Sequence, residues 1–139
     1  MIADWRAKWS LFSQGQTDNL FPFGFVIIGP NFDRENATCG NNTSSSCTVA
    51  VVRWGQTANY GYVPNPVMEN TFMAAAIDWG DPDSDPNSPI VDLHPRYKRP
   101  VAIRLAKAGL AVAYGYDYYW TGPIAGLLIK YFLHIFITA

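Results

Sequence analysis

The chain has 139 residues, 49% of them hydrophobic and 15% charged, with 10 Lys and Arg against 11 Asp and Glu for a net charge of −1. That length holds one ordinary domain, and that composition excludes a disordered chain. The balanced charge leaves no electrostatic footprint for nucleic acid or for an anionic membrane surface.

Residues 3–12 place Trp5, Trp9 and Phe12 at helical spacing. The spacing predicts an amphipathic helix with Arg6 and Lys8 turned outward. Residues 13–20 are polar and loop-like. Residues 22–30 form a short apolar run rich in aromatic and β-branched side chains, closed by Gly29 and Pro30. A buried parallel strand reads this way. Residues 31–48 are loop by composition and hold Cys39 and Cys47. Two cysteines are too few for a disulfide framework, and a single bridge or two free thiols fit equally. The same loop carries glycosylation sequons at Asn36, Asn41 and Asn42. Their clustering beside a candidate disulfide points to a secretory or lysosomal compartment, although a Ser/Asn-rich loop also meets the pattern by chance.

Residues 49–59 begin either a strand or a helix, and periodicity does not settle which. Residues 60–66 are turn material with Pro64 and Pro66. Residues 71–78 are a second strand-like run, ending in Asp78. Residues 81–89 form an acidic loop with Pro82, Pro86 and Pro89. Beyond Pro95, Val101, Leu105, Ala108 and Val112 fall on one helix face, and Gly115 supplies a C-cap. Arg96, Lys98, Arg99, Arg104 and Lys107 solvate the rest. A helix beginning at Pro95 holds Pro100 in its interior, at a cost of about 3 kcal/mol. Residues 1–6 carry charge and no apolar signal-peptide core. Residues 124–139 are almost wholly apolar but include Lys130 and His134, and they fall short of the ~20 residues of a spanning helix. They read as a packed or aggregation-prone tail ahead of a membrane anchor, which stays as a third reading.

Two buried-type strands among amphipathic helices indicate an α/β fold with a parallel sheet. Ligands in such sheets bind beyond the carboxyl ends of the strands. The loop over residues 77–94 leaves the second strand there and ends in Asp92-Leu-His94-Pro95. A histidine serves as a general base near neutral pH, and a carboxylate on its other ring nitrogen fixes its tautomer. An exposed loop histidine beside an N-cap acid gives the same pattern. Hydroxyl candidates are Ser13, Thr17, Thr57, Ser84, Ser88 and residues 44–46, none on a Gly-x-Ser-x-Gly turn. Neither histidine has a metal-ligand partner at the usual spacing. Asp78, Asp81, Asp83 and Asp85 read as a solvated acidic loop rather than a calcium loop. The sequence has no Gly-rich phosphate loop.

Several runs resemble the downstream half of the animal sialate O-acetylesterases. They are Asp4-Trp-Arg6, Ser13-Gln-Gly-Gln-Thr17, Phe21-Pro-Phe-Gly-Phe-Val26, Arg53-Trp-Gly-Gln-Thr-Ala58, Gly61-Tyr-Val-Pro-Asn-Pro66 and Asn70-Thr-Phe-Met-Ala74. His94-Pro95, a basic helix and Ala113-Tyr-Gly115 complete a colinear set. The resemblance implies a three-layer α/β fold of the SGNH-hydrolase kind, here truncated. It implies hydrolysis of O-acetyl esters on sialic acids by a serine, a histidine base and a supporting acid, with no metal or organic cofactor. The partner it implies is an O-acetylated sialic acid or sialoglycan.

By the same resemblance His94 is the catalytic histidine and Asp92 the nearest acid. Asp92 stands two residues before His94 where three is common in that fold, so Asp78 and Asp81 stay open as the supporting acid. Gln56 is a candidate lining residue. The family's Gly-Gln-Ser-Asn nucleophile block and its oxyanion-hole blocks have no counterpart in this sequence. Residues 14–19 match a different family stretch, so Thr17 is not assigned as nucleophile. Residues 1–123 are therefore expected to be the C-terminal portion of an esterase catalytic domain, with 124–139 as a non-family tail and no activity alone. Non-catalytic glycan binding through the aromatic surface from Trp54 to Tyr62 is the alternative. An open strand edge or the tail favours self-association.

Overall fold

The computed structural model describes residues 1–30, 45–81, 94–122 and 124, and for 45–48 the backbone alone. The elements run α1 (Ile2–Phe12), β1 (Phe23–Ile27), α2 (Ser45–Gln56), β2 (Thr71–Ala75) and α3 (Arg99–Tyr114). Strands β1 and β2 pair in parallel, with Phe23 opposite Thr71 and Ile27 opposite Ala75. Both apolar runs are strands, and the ambiguous segment over 49–59 is mostly helix. The expected α/β arrangement with parallel strands is what forms.

Helix α3 packs on both strands. Val101 and Ala108 are its buried residues, and Val101 packs with Ala74 and Ala76 at the end of β2. The Phe72 ring lies on the same face between Gly24 and Gly109, so close that a Cβ on Gly24 would overlap it. Phe23 points to the opposite face, as alternation along a strand requires. There the Trp5 ring meets it edge-on at 5.8 Å.

Residues 45–48, read as loop, instead open α2, and two further expectations are corrected. Helix α3 begins at Arg99, not Pro95, so Pro100 stands in its first turn. Its missing N–H has no intrahelical partner to lose there, so the cost expected of an interior proline does not arise. Gly115 caps the other end at φ 71°, as expected.

The second correction concerns α1, whose only buried residue is Arg6, while Trp9 and Phe12 stand 62% and 80% exposed. The Arg6 guanidinium donates from Nε and Nη2 to the Phe21 carbonyl at 3.0 and 2.7 Å. It also donates to the Glu69 and Asn70 carbonyls at 3.0 Å each. These carbonyls sit just ahead of β1 and β2, and a planar five-donor fork reaches the starts of the two strands at once. Polar demand from the backbone therefore turned the arginine inward and the aromatic stripe outward. Lys8 does stay outside, paired with Asp4 one turn earlier.

Residues 31–44, with Cys39 and the three sequons, lie outside the described set, as do the Cys47 side chain and residues 125–139. Among the described residues no helix is long and apolar enough to cross a membrane.

Candidate active site

Beyond the carboxyl ends of β1 and β2 lies an open cleft of about 520 Å³. Its floor is apolar, from Val26, Ile28, Ala76, Val101 and Leu105. Its polar side chains are Gln56, His94 and Lys98. This is where a parallel sheet places its ligands, and the histidine singled out in the sequence is here.

Helix α2 builds one wall. Arg53 and Gln56 are three residues apart and share a helix face. The Gln56 carboxamide accepts from the Ile28 N–H at 3.0 Å and donates to the Val26 carbonyl at 3.1 Å. It thus takes the place of a neighbouring strand at the outer edge of β1. Arg53 donates to the carbonyls of Ile28 and Gly29 at 2.9 and 2.8 Å. Partial burial lowers the Arg53 pKa from its ordinary value by desolvation. Together the two side chains fix the turn that leaves β1 and lines the cleft.

The second wall carries His94. Its ring is exposed and makes no hydrogen bond to a described residue, while Pro95 beside it is buried. Two residues on, Arg96 holds the buried Asp81 carboxylate through Nε at 2.7 Å, Nη2 at 3.0 Å and its backbone N–H at 3.0 Å. This bidentate pair clasps the segment around His94 to the residues that follow β2. Asp78 is held by Arg104 at 2.6 Å, and Arg104 also donates to the Ala75 carbonyl at 2.8 Å. The hydrogen bond from Arg104 holds the Asp78 carboxyl below its ordinary pKa. Both acids left open by the sequence are thus engaged with arginines and not with His94. Asp92 lies outside the described residues, so its approach to the histidine is not part of this geometry.

Thr17 is elsewhere, in an apolar cleft with Trp5, Trp9, Phe21 and Phe23. Thr57 is buried and structural: its hydroxyl donates to the Trp54 carbonyl and accepts from the Gly61 N–H, both at 2.9 Å. Among the described residues no three His, Cys, Asp or Glu side chains cluster to hold a metal ion. Asp83 and Asp85 are outside that set. Sequence reading missed Lys98, which it assigned to the solvated helix face. The i, i+3 pair of Arg53 and Gln56 was the signal for the α2 wall.

No protein-family model matches the chain. In fold it is similar to a carbohydrate acetylesterase from Xanthomonas citri, with a TM-score of 0.55 and 25% identity over 88% of this chain and 24% of that one. The described elements therefore have the α/β fold of part of that acetylesterase. In sequence the chain is related to the sialate O-acetylesterases: 46% identical over 115 residues to the enzyme of Mus musculus and 44% to that of Homo sapiens. The match covers 83% of this chain, which spans about a fifth of the length of these curated relatives (19% and 20%).

Proposed function

We propose that this chain is the histidine-bearing part of an esterase that removes O-acetyl groups from sialic acids. The observation that carries the reading is the position of His94 in the cleft beyond the parallel strands, in a chain 46% identical to a sialate O-acetylesterase. In this reading a serine oxygen attacks the acetyl carbonyl and His94 accepts its proton. His94 then protonates the departing sugar oxygen, and water releases acetate from the acetyl-serine. Asp92 holds the imidazole in the reactive tautomer. The serine and the oxyanion donors belong to family blocks without counterpart in this sequence. Loss of nucleophile and oxyanion hole together removes nearly all catalysis. The chain alone is therefore expected to be inactive, and its compartment to be secretory or lysosomal.

The test is acetate release from O-acetylated sialic acid by the purified chain and by His94→Ala. No release from either is the expected result. Release that His94→Ala abolishes would mean that a nucleophile lies within the 139 residues, and the inactive reading would fall. A second reading is non-catalytic glycan binding by the aromatic patch, favoured by Trp54 and Tyr60 being exposed and by the edge-on contact of Tyr60 with Tyr62. It predicts glycan binding that His94→Ala leaves unchanged and Trp54→Ala abolishes.

A further inference from the structure

The cationic side chains around the cleft are not equivalent. Arg96 is committed to Asp81, and Arg104 to Asp78 and the Ala75 carbonyl. Arg53 is committed to two backbone carbonyls. Gln56, the polar neighbour across the cleft, has both ends of its carboxamide engaged with β1. Lys98 lines the same cleft as His94, and no hydrogen bond or ion pair joins its ammonium to another described residue. It immediately precedes α3, whose first turn holds no acid and whose N-terminus has no side-chain cap. The unpaired N–H groups there add a partial positive charge of about half a unit to that of the lysine. Among the described residues the cleft thus has an apolar floor, a histidine, and a positive end with no acid paired to it.

We infer that Lys98 is the specificity residue of this cleft and pairs with the carboxylate of an acidic sugar. The inference rests on the sialic acid reading above and deepens it. An acetyl ester identifies a substrate only as acetylated, and a neutral acetylated sugar offers the same ester to His94. A sialic acid differs from such a sugar by its carboxylate. A carboxylate is the group that an unpaired ammonium beside a helix N-terminus selects. The apolar floor receives the less polar parts of the ring and the acetyl methyl group.

The experiment titrates the purified chain with the methyl glycoside of N-acetylneuraminic acid and with the carboxyl methyl ester of the same glycoside, followed by amide NMR shifts. An exposed charge pair of this kind changes affinity by roughly threefold to tenfold. The acid is therefore expected to bind about fivefold more tightly than the ester, by less at high salt. Lys98→Met should erase the difference and Lys98→Arg keep it. Lys98 is exposed, so both variants should retain the far-UV spectrum of the parent. Equal binding of acid and ester, or a preference that survives in Lys98→Met, overturns the inference and leaves the sialoside reading standing. Binding of neither compound overturns the sialoside reading, and this inference falls with it.

Discussion

Helices α1 and α3 both carry apolar residues at helical spacing, yet they attach to the sheet by different means. Helix α3 buries Val101 and Ala108 and packs Val101 and Leu105 against the end of β2, so its apolar face is the attached one. Helix α1 attaches through Arg6, whose four hydrogen bonds reach three backbone carbonyls, and it leaves Trp9, Leu11 and Phe12 in solvent. The comparison teaches that periodicity reports which face is uniform, not which face is inside. A strand pair leaves carbonyl lone pairs at its leading end, and burying them without donors costs more than exposing an indole.

The largest effect should come from breaking the polar attachment. Arg6→Ala removes all four guanidinium hydrogen bonds to the Phe21, Glu69 and Asn70 carbonyls at once, leaving Asn70 with the Phe23 N–H alone, and it should cost about 3 kcal/mol of unfolding free energy in urea. Arg6→Lys should recover part of this, because an ammonium lacks the planar fork that bridges the two strand starts. A cost below 1 kcal/mol for Arg6→Ala would mean that α1 is held by something else.

The apolar attachment should break by overpacking. Gly24→Ala puts a methyl group into the Phe72 ring, and Gly109 on α3 leaves that ring little room to move, since a Cβ there would stand 3.3 Å from it. About 1–3 kcal/mol should be lost, and adding Phe72→Leu should return part of it. Additive losses in the double variant would show that the ring is not the obstacle.

Smaller again is the Asp78–Arg104 pair at the edge of α3. The arginine depresses the folded-state pKa of Asp78, so its stabilisation is fully present above the ordinary carboxylate range. It is lost as pH falls through the lower folded value. The pair is largely exposed, so Asp78→Asn should cost below ~1 kcal/mol at neutral pH. The difference from the parent should shrink on acidification below about pH 4. A difference that grows on acidification would reverse the assignment. The smallest effect belongs to the exposed stripe of α1: Trp9→Ala should change stability by no more than about 0.5 kcal/mol, which thermal unfolding would check.

Much of the fold was legible because it rests on local rules. The apolar runs ending in Gly29-Pro30 and Asp78 are dense in side chains that suit a sheet packed on both faces, and both formed strands in parallel. The spacing of Val101, Leu105, Ala108 and Val112 is a helix face that needs no partner to be recognised. Gly115 adopts the left-handed conformation that ends a helix. The position of His94 followed from topology, since a loop leaving a parallel strand's carboxyl end opens onto the ligand side of the sheet. Less of the site itself was legible. Asp78 and Asp81 read as candidate acids because a sequence does not display the arginines that take them. Arg104 stands 26 residues from Asp78, and Arg96 15 residues from Asp81.

By itself, then, the sequence determined what depends on neighbours along the chain: strand and helix periods, caps, turns, and the loop that delivers a histidine. Only the tertiary structure decided which polar groups meet across the chain. Arg6 went inward to the carbonyls ahead of the two strands, Gln56 took the place of an adjacent strand, and two arginines took Asp78 and Asp81. The reason is that hydrogen-bond and charge satisfaction is a requirement of the buried whole. Its partners lie at separations for which local pattern carries no signal.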